Sequence, residues 1–351
     1  MFAEKHYPEL LIPEELDSYL AKGWYRMGQT IFTTHFLCFD EHFYSAVWIR
    51  LPLRGYQFRK SLRKLMLRNQ RAFRTEVRKA SLGPAKEKLY QRYRADFTGA
   101  LAPSLKDSLL DGEDYNIFDT YEVSIYDGNR LIAFSFFDLG RKSAASITGV
   151  YDPHYRKYSL GIYTMLMEIA FAQQKDLDYF YPGYIVPGYP RFDYKLRIGE
   201  PQEVQYFDLQ ADNWRPYDQI NDEKIPLRRM EERLRMLHQS LMAHQIPSRQ
   251  QYYPLFEANL FGFWQAPYFD YPFFLWCYPG RPRSFYYLIV FNVRENEYQL
   301  LRCSPFDDLQ FYFNESFART FNQEQFFLEL IVIEEKLASS PRMEDILNAL
   351  R

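Results

Sequence analysis

The 351-residue chain has three cysteines, Cys38, Cys277 and Cys303, too few and too widely spaced for a disulfide framework. That scarcity points to a reducing compartment. Histidine is also scarce, at six, and no Ser-His-Asp or Cys-His signature is present, which leaves a nucleophilic hydrolase without support. No window approaches the roughly 18 apolar residues that a membrane span needs, and the longest apolar stretch, 285–293, is strand-length. The N-terminus, MFAEKHYPELLIPEEL, carries acids and prolines where a signal peptide needs a basic start and an apolar run. We therefore expect a cytoplasmic chain with no membrane partner. Net charge is also small: 43 Lys and Arg stand against 45 Asp and Glu, net −2. Bulk charge does not advertise nucleic acid, so any such surface must come from local segregation.

What the chain does have is aromatic residues, 19% of the total, in an otherwise ordinary globular composition. With no Gly/Ser or Pro-rich linker and no repeat, domain borders must come from shifts in pattern. Three zones emerge, 1–105, 106–218 and 219–351. In the first, strand-like pieces at 30–39 and 44–53 precede a helical stretch at 58–77. Its apolar residues Phe58, Leu62, Leu65, Met66, Phe73 and Val77 recur at helical spacing. The other faces are basic. Residues 50–80 hold eleven Lys and Arg against one acid, Glu76, a local charge of +10. A solvated helix face normally mixes signs, because like charges at i,i+4 repel. Arg59, Lys60, Arg63, Lys64, Arg68 and Arg71 are the candidate phosphate-binding residues. The competing reading is a basic face neutralised by the acidic remainder.

The middle zone is the most legible. Residues 120–126 alternate as a strand, Asp127-Gly128-Asn129 turns, and 131–138 return. A third strand at 144–151 is stopped by Asp152-Pro153. Ser159 is placed to cap a helix over 160–175, with Ile162, Leu166, Ile169 and Ala170 on its inner face. A strand at 177–184 and a short helix at 192–197 follow. The third zone has an amphipathic helix at 222–244, an aromatic stretch at 252–278 read mainly as packing, a hairpin at 285–293 and 296–302, and a helix at 323–337.

The β-β-β-α-β-α order of the middle zone resembles the core of the GNAT-type N-acyltransferases, in which two neighbouring strands splay apart beside a helix N-terminus. We expect an α+β protein: a GNAT-like mixed sheet with a small N-terminal α/β domain and an aromatic-rich α+β C-terminal extension. Several motifs narrow this. The hairpin Asp127-Gly128 with Leu131-Ile132-Ala133, Tyr151-Asp152-Pro153, Ser159-Leu160-Gly161, Gly183-Tyr184 and Tyr194-Lys195 occur in that order. Upstream lie GWYRMGQTIF and the basic RKSLRKLMLRNQ. Over about residues 20–200 the chain resembles the aminoacyl-tRNA–protein transferases, the arginyl-transferases and bacterial leucyl-transferases of the N-degron pathway.

The resemblance implies aminolysis: the N-terminal amine of an acceptor protein attacks the ester carbonyl of an aminoacyl-tRNA. An activated ester and an amine partly neutral at pH 7 need positioning and oxyanion stabilisation more than a strong base. N–H groups at Ser159-Leu160-Gly161 and at the break before Gly183 and Tyr184, with Tyr194, are the candidate catalytic set. Acceptors with an acidic first residue call for a fixed cation, and Arg191, Lys195 and Arg197 sit where the motif puts one. Asp152 is carried as a substrate-side residue, with turn-capping as its competing role.

Departures from the family pattern are also visible. The N-terminal cysteine cluster is missing, and His35, Cys38 and His42 do not complete a metal site, so neither metal nor cofactor is expected. The motif over 188–195 lacks its Cys and Met, and the Arg-Pro that normally follows Tyr-Lys is absent. Two alternatives therefore stay open: a degenerate tRNA- or peptide-binding protein, and a GNAT-like acyltransferase with another donor. Against the latter, DPHYRKYSLG carries no Gly-rich pyrophosphate loop.

Overall fold

The structure, a computed structural model, describes residues 1–39, 41–99, 101–261, 266–279, 284–306, 321–322 and 324–350. Among these residues no helix is long and apolar enough to cross a membrane. The chain opens with β1 (Ala3–His6), α1 (Pro13–Ala21), β2 (Tyr25–Met27) and β3 (Thr30–Thr34), the three strands pairing in the order β1-β3-β2. A hairpin of β4 (Phe36–Phe39) and β5 (His42–Ser45) leads into β6 (Val47–Pro52).

The basic helix is real but shorter than its pattern suggests. Helix α2 (Lys60–Ala72) ends where Phe73 turns extended, and β7 (Arg74–Lys79) continues as a strand. Phe73 and Val77 are four apart, a spacing that shares a face in a helix and in a strand alike. Pairing with the next zone decides between them: β7 lies antiparallel to β8 (Thr120–Asp127), Val77 opposite Val123. Between them α3 (Pro84–Asp96) and α4 (Leu105–Leu110) cover one face.

The middle zone folds as its pattern implies. After β8, Gly128 takes the positive φ of 57° that the turn needs, and β9 (Arg130–Leu139) and β10 (Ser143–Tyr151) follow antiparallel. Helix α5 (Leu160–Gln174) crosses over to β11 (Tyr179–Ile185), which pairs parallel to β10. A 3-10 segment, Pro190–Ile198, takes the place of the expected short helix, and β12 (Gln205–Asp208) and β13 (Asn213–Pro216) form the far edge. The result is one mixed sheet in the order β13-β12-β6-β11-β10-β9-β8-β7. β6 and β7 come from residues 1–105 and the other six strands from later in the chain, so a border at 105 would cut through this sheet.

The last zone is α6 (Pro226–Ala243) against an antiparallel sheet, β14 (Ser248–Tyr252), β15 (Phe273–Cys277), β16 (Tyr286–Asn292), β17 (Glu297–Pro305) and β18 (Ile331–Ser340). The helix expected at 323–337 is corrected here. Residue 323 lies outside the described residues, and 331–337 belong to β18, whose opening Ile331-Val332-Ile333 run favours a strand. The aromatic stretch is packing: Tyr253, Tyr268, Phe269 and Phe274 are buried in a cluster that also takes in Phe2, Phe36 and Trp48. Phe2 meets Phe36 at 5.2 Å and Tyr271 at 5.1 Å, edge to face, and its backbone N–H donates to buried Asp270.

Candidate active site

β10 and β11 pair only over Ser143–Tyr179, Ala144–Phe180 and Ala145–Tyr181. Beyond that point β10 stays with β9 as far as Tyr151, and β11 stays with β6 as far as Ile185. Irregularities on the two strands, between Ser146 and Thr148 and between Phe180 and Gly183, mark where they part. The Tyr25 hydroxyl sits in the fork, within hydrogen-bond reach of the carbonyls of both Ser146 and Tyr181. Pro182, with no N–H to offer a neighbour, and Gly183, at φ +97°, shape the β11 side.

The start of α5 faces the opening. Ser159 is corrected from its expected role: it adopts the left-handed conformation (φ 54°, ψ 46°) and its hydroxyl caps nothing. Its carbonyl accepts from the Tyr163 N–H, while among the described residues no side chain caps the first-turn N–H groups. Gly161 adds no side chain there; a Cβ would lie 3.6 Å from the Tyr151 ring. The parted strands and this helix start enclose a cleft of about 730 Å³. Ser159, Leu160, Gly161, Gly183, Tyr184 and Tyr194 all line it, and so do Arg191, Lys195 and Arg197.

The three expected acid-reading cations are not equivalent. Lys195 is half-buried, and its Nζ donates to the Tyr184 carbonyl at 2.9 Å. It lies 5.1 Å from the Tyr184 ring and 5.2 Å from that of Phe192, with no carboxylate in an ion pair to it among the described residues. Burial lowers its ammonium to about 7. Arg191 is exposed at the rim, its guanidinium 4.1 Å over the Phe97 ring. Arg197 is also exposed, and its carbonyl receives Arg59 at 3.0 Å.

Asp152 is not among the residues lining the cleft. Its fully buried carboxylate accepts from Arg92 and Arg130 at 2.5 Å and from the His154 ring at 2.9 Å, besides capping the turn after β10. Desolvation opposes its ionisation, but the His154 and Arg92 contacts outweigh it and hold the carboxyl below its ordinary value. It is a structural tie.

Of the six expected tRNA-facing residues, Lys60, Arg63, Lys64, Arg68 and Arg71 are exposed on α2. Arg59 is the exception, half-buried and paired with Glu200 at 3.1 Å. Arg68 and Asn69 reach the carbonyls of Lys157 and Tyr158, both at 3.1 Å, which ties the basic helix to the loop before Ser159. Arg156, in that loop, lines the cleft and pairs with Asp96. His35 is buried in edge contact with Phe2 at 6.4 Å, and burial lowers its imidazole to about 3. Cys38 and His42 lie on the β4–β5 hairpin, opposite Phe43 and Phe39.

One residue in the cleft escaped the sequence reasoning. Glu168 lies fully buried on α5, and among the described residues neither of its carboxylate oxygens has a hydrogen-bond partner of ordinary geometry, though the Ser135 and Ser146 hydroxyls approach. Its signal was available: it is the one charged residue in LGIYTMLMEIAFAQQ.

Comparison with known proteins assigns the chain to a family. Residues 85–205 match the family described as arginine-tRNA-protein transferase, C terminus. An aspartate/glutamate leucyltransferase of Leptospira interrogans is 30% identical over 220 residues, covering 59% of this chain and 83% of that protein. Its counterpart in Vibrio cholerae is 27% identical over 199 residues, covering 56% and 83%. A solved GCN5-related N-acetyltransferase from Anabaena variabilis overlays 78% of this chain and 55% of that one, at 13% identity and a TM-score of 0.31. With 83% of a 30%-identical relative spanned, the chain belongs to the aminoacyl-tRNA–protein transferases, enzymes that pass an amino acid from charged tRNA to a protein N-terminus.

Proposed function

We propose that the protein transfers leucine from leucyl-tRNA to proteins that begin with Asp or Glu, as a step of an N-degron pathway, and does so in the cleft between β10, β11 and α5. The observation that carries this is the parting of the two strands beside an uncapped helix start, with Lys195 in the same cleft. The N–H groups of the first turn of α5 meet the ester carbonyl and the negative charge that develops on it. Apolar walls from Phe32, Trp48, Ile162 and Met165 suit a leucyl side chain. Lys195 reads the acceptor's acidic side chain, with Arg191 at the rim as a second cation. The tRNA body lies along the exposed side of α2, whose end abuts the loop leading to Ser159. Collapse of the tetrahedral adduct forms the amide and releases the ribose hydroxyl.

An arginyl donor is the second reading, favoured by two carboxyl groups in the cleft, Asp96 and Glu168. The test mixes purified protein with tRNA charged with Leu or with Arg and with peptides beginning Asp, Glu, Asn or Ala, and follows mass addition. Leucine on the Asp and Glu peptides alone is the expected result. Arginine on the same peptides would replace the donor. No addition from either tRNA would leave a protein that binds without transferring, with the missing Cys and Met of 188–195 as its explanation.

A further inference from the structure

Glu168 is unused by the leucyl transfer proposed above, yet its placement is costly. A fully buried carboxyl group that has only the Ser135 and Ser146 hydroxyls near it, and no hydrogen bond of ordinary geometry among the described residues, loses its hydration and gains little within the protein. Glutamine or leucine would fill that part of α5 at less expense. The polar groups around it are few. Ser135 of β9 and Ser146 of β10 approach it, and the Ser135 hydroxyl is itself unsatisfied. Tyr25 of β2 and Tyr194 of the 3-10 segment present phenols whose ionisation its charge opposes. Lys195, in the same cleft, is bonded to the Tyr184 carbonyl, and among the described residues no cation pairs with Glu168.

We propose that Glu168 is the receptor for a primary ammonium brought into the cleft by a substrate. This rests on the transferase reading, in which both substrates carry such a group: the α-ammonium of the aminoacyl donor and the N-terminal ammonium of the acceptor. An ammonium offers three N–H donors, enough for two carboxylate oxygens and the unsatisfied Ser135 hydroxyl. Burial raises the Glu168 carboxyl to about 8, so near pH 7 the empty site holds a neutral acid. Arrival of the ammonium lets that acid ionise and shed its proton.

Calorimetric titration with two ligand pairs tests this without relying on transfer. One pair is 3′-leucylamido-3′-deoxyadenosine and its des-amino analogue; the other is an Asp-initial peptide with a free or an acetylated N-terminus. Wild-type protein should prefer the amine-bearing member of one pair by roughly 10–100-fold. At pH 7, titrations in two buffers of different ionisation heat should show a proton released with that member. Glu168→Gln should bind both members alike and release none. Preference within the adenosine pair assigns the donor's amine, and preference within the peptide pair the acceptor's. No binding of the amine-bearing ligands, equal binding of both pairs by wild type, or a preference retained in Glu168→Gln overturns the proposal. Glu168→Met, apolar and of similar length, repeats the comparison if the Gln variant melts early. Transfer without amine preference sinks only this inference, whereas amine preference without transfer sinks only the leucyl-transfer reading.

Discussion

The basic run of residues 50–80 is two different things in the folded protein, and Phe73 is the hinge between them. On the strand side, Arg74 pairs with Glu76, Arg78 with Glu122 at 2.8 Å, and Lys79 with Asp119. On the helix side, Lys60, Arg63, Lys64 and Arg71 lie exposed with no ion pair among the described residues. A count of charges along the chain treats the halves as equal. The partners that separate them, Glu122, Asp119 and, for Arg59, Glu200, come from elsewhere in the sequence. Cations bound to distant acids hold the fold together; cations left to solvent are free to meet a polyanion.

The comparison can be broken hardest on its strand side. Glu122 is buried and also receives Lys86 at 2.5 Å, and Lys86 is itself buried. Glu122→Ala should cost about 3–5 kcal/mol by stranding a buried ammonium, measured by chemical denaturation, while the folded fraction keeps its tRNA affinity. Desolvation opposes the Glu122 charge, but its bonds to Lys86, Arg78 and the Ser81 N–H win and lower the carboxyl below its ordinary 4.5. This contribution is therefore complete above about pH 4.5 and is lost as pH falls through the lower folded-state value.

The mirror experiment reverses Lys60, Arg63 and Lys64 to Glu. Filter binding should show tRNA affinity falling about 100–1,000-fold, with the salt slope reduced by roughly 0.7–0.9 per lost phosphate contact. Melting should move little, by about 0.5 kcal/mol or less. A variant that melts early but binds normally would exchange the roles of the two halves.

The cleft candidates repeat the contrast: Asp152, outside the cleft, is tied by three partners, while Lys195, inside it, pairs with no acid among the described residues. Gly161→Val should lower single-turnover transfer about 100-fold by crowding the helix start, whereas Gly161→Ala, whose Cβ meets Tyr151 at an ordinary 3.6 Å, should be nearly silent. Lys195→Ala should raise the KM for Asp and Glu peptides about 10–100-fold and so relax the discrimination between Asp or Glu starts and Asn starts. Because burial places Lys195 near 7, wild-type preference for acidic starts should weaken as pH rises above 7, the charged form being lost in that direction.

The sequence was most legible where signals are local. Asp127-Gly128, Asp152-Pro153 and the apolar run of α5 each mark an element within a few residues of themselves. It failed where a distant strand or acid decides. β8 claims residues 74–77 from one expected helix, β17 claims 331–337 from another, and Glu200 claims Arg59. Nine of the ten cleft candidates converge because the motif order carried them there. Asp152 did not, since only the fold brings Arg92 and Arg130 to it, and Glu168 was passed over because burial without partners is not a property of one residue.

The Tyr25 hydroxyl has one more implication. Parallel strands that pair at their bases would ordinarily go on zipping, and what stands in the fork is a side chain from residue 25, in the N-terminal zone that also supplies Phe32 and Trp48 to the cleft. Residues 106–218 expressed alone would keep the strand fork and the helix start, but would lose the wedge, the flanking β6, the Phe32 and Trp48 walls and the side of the cleft made by Tyr93, Asp96 and Phe97. Such a fragment would be half a lock, and grafting the site onto another scaffold means carrying the N-terminal tyrosine and the walls beside it.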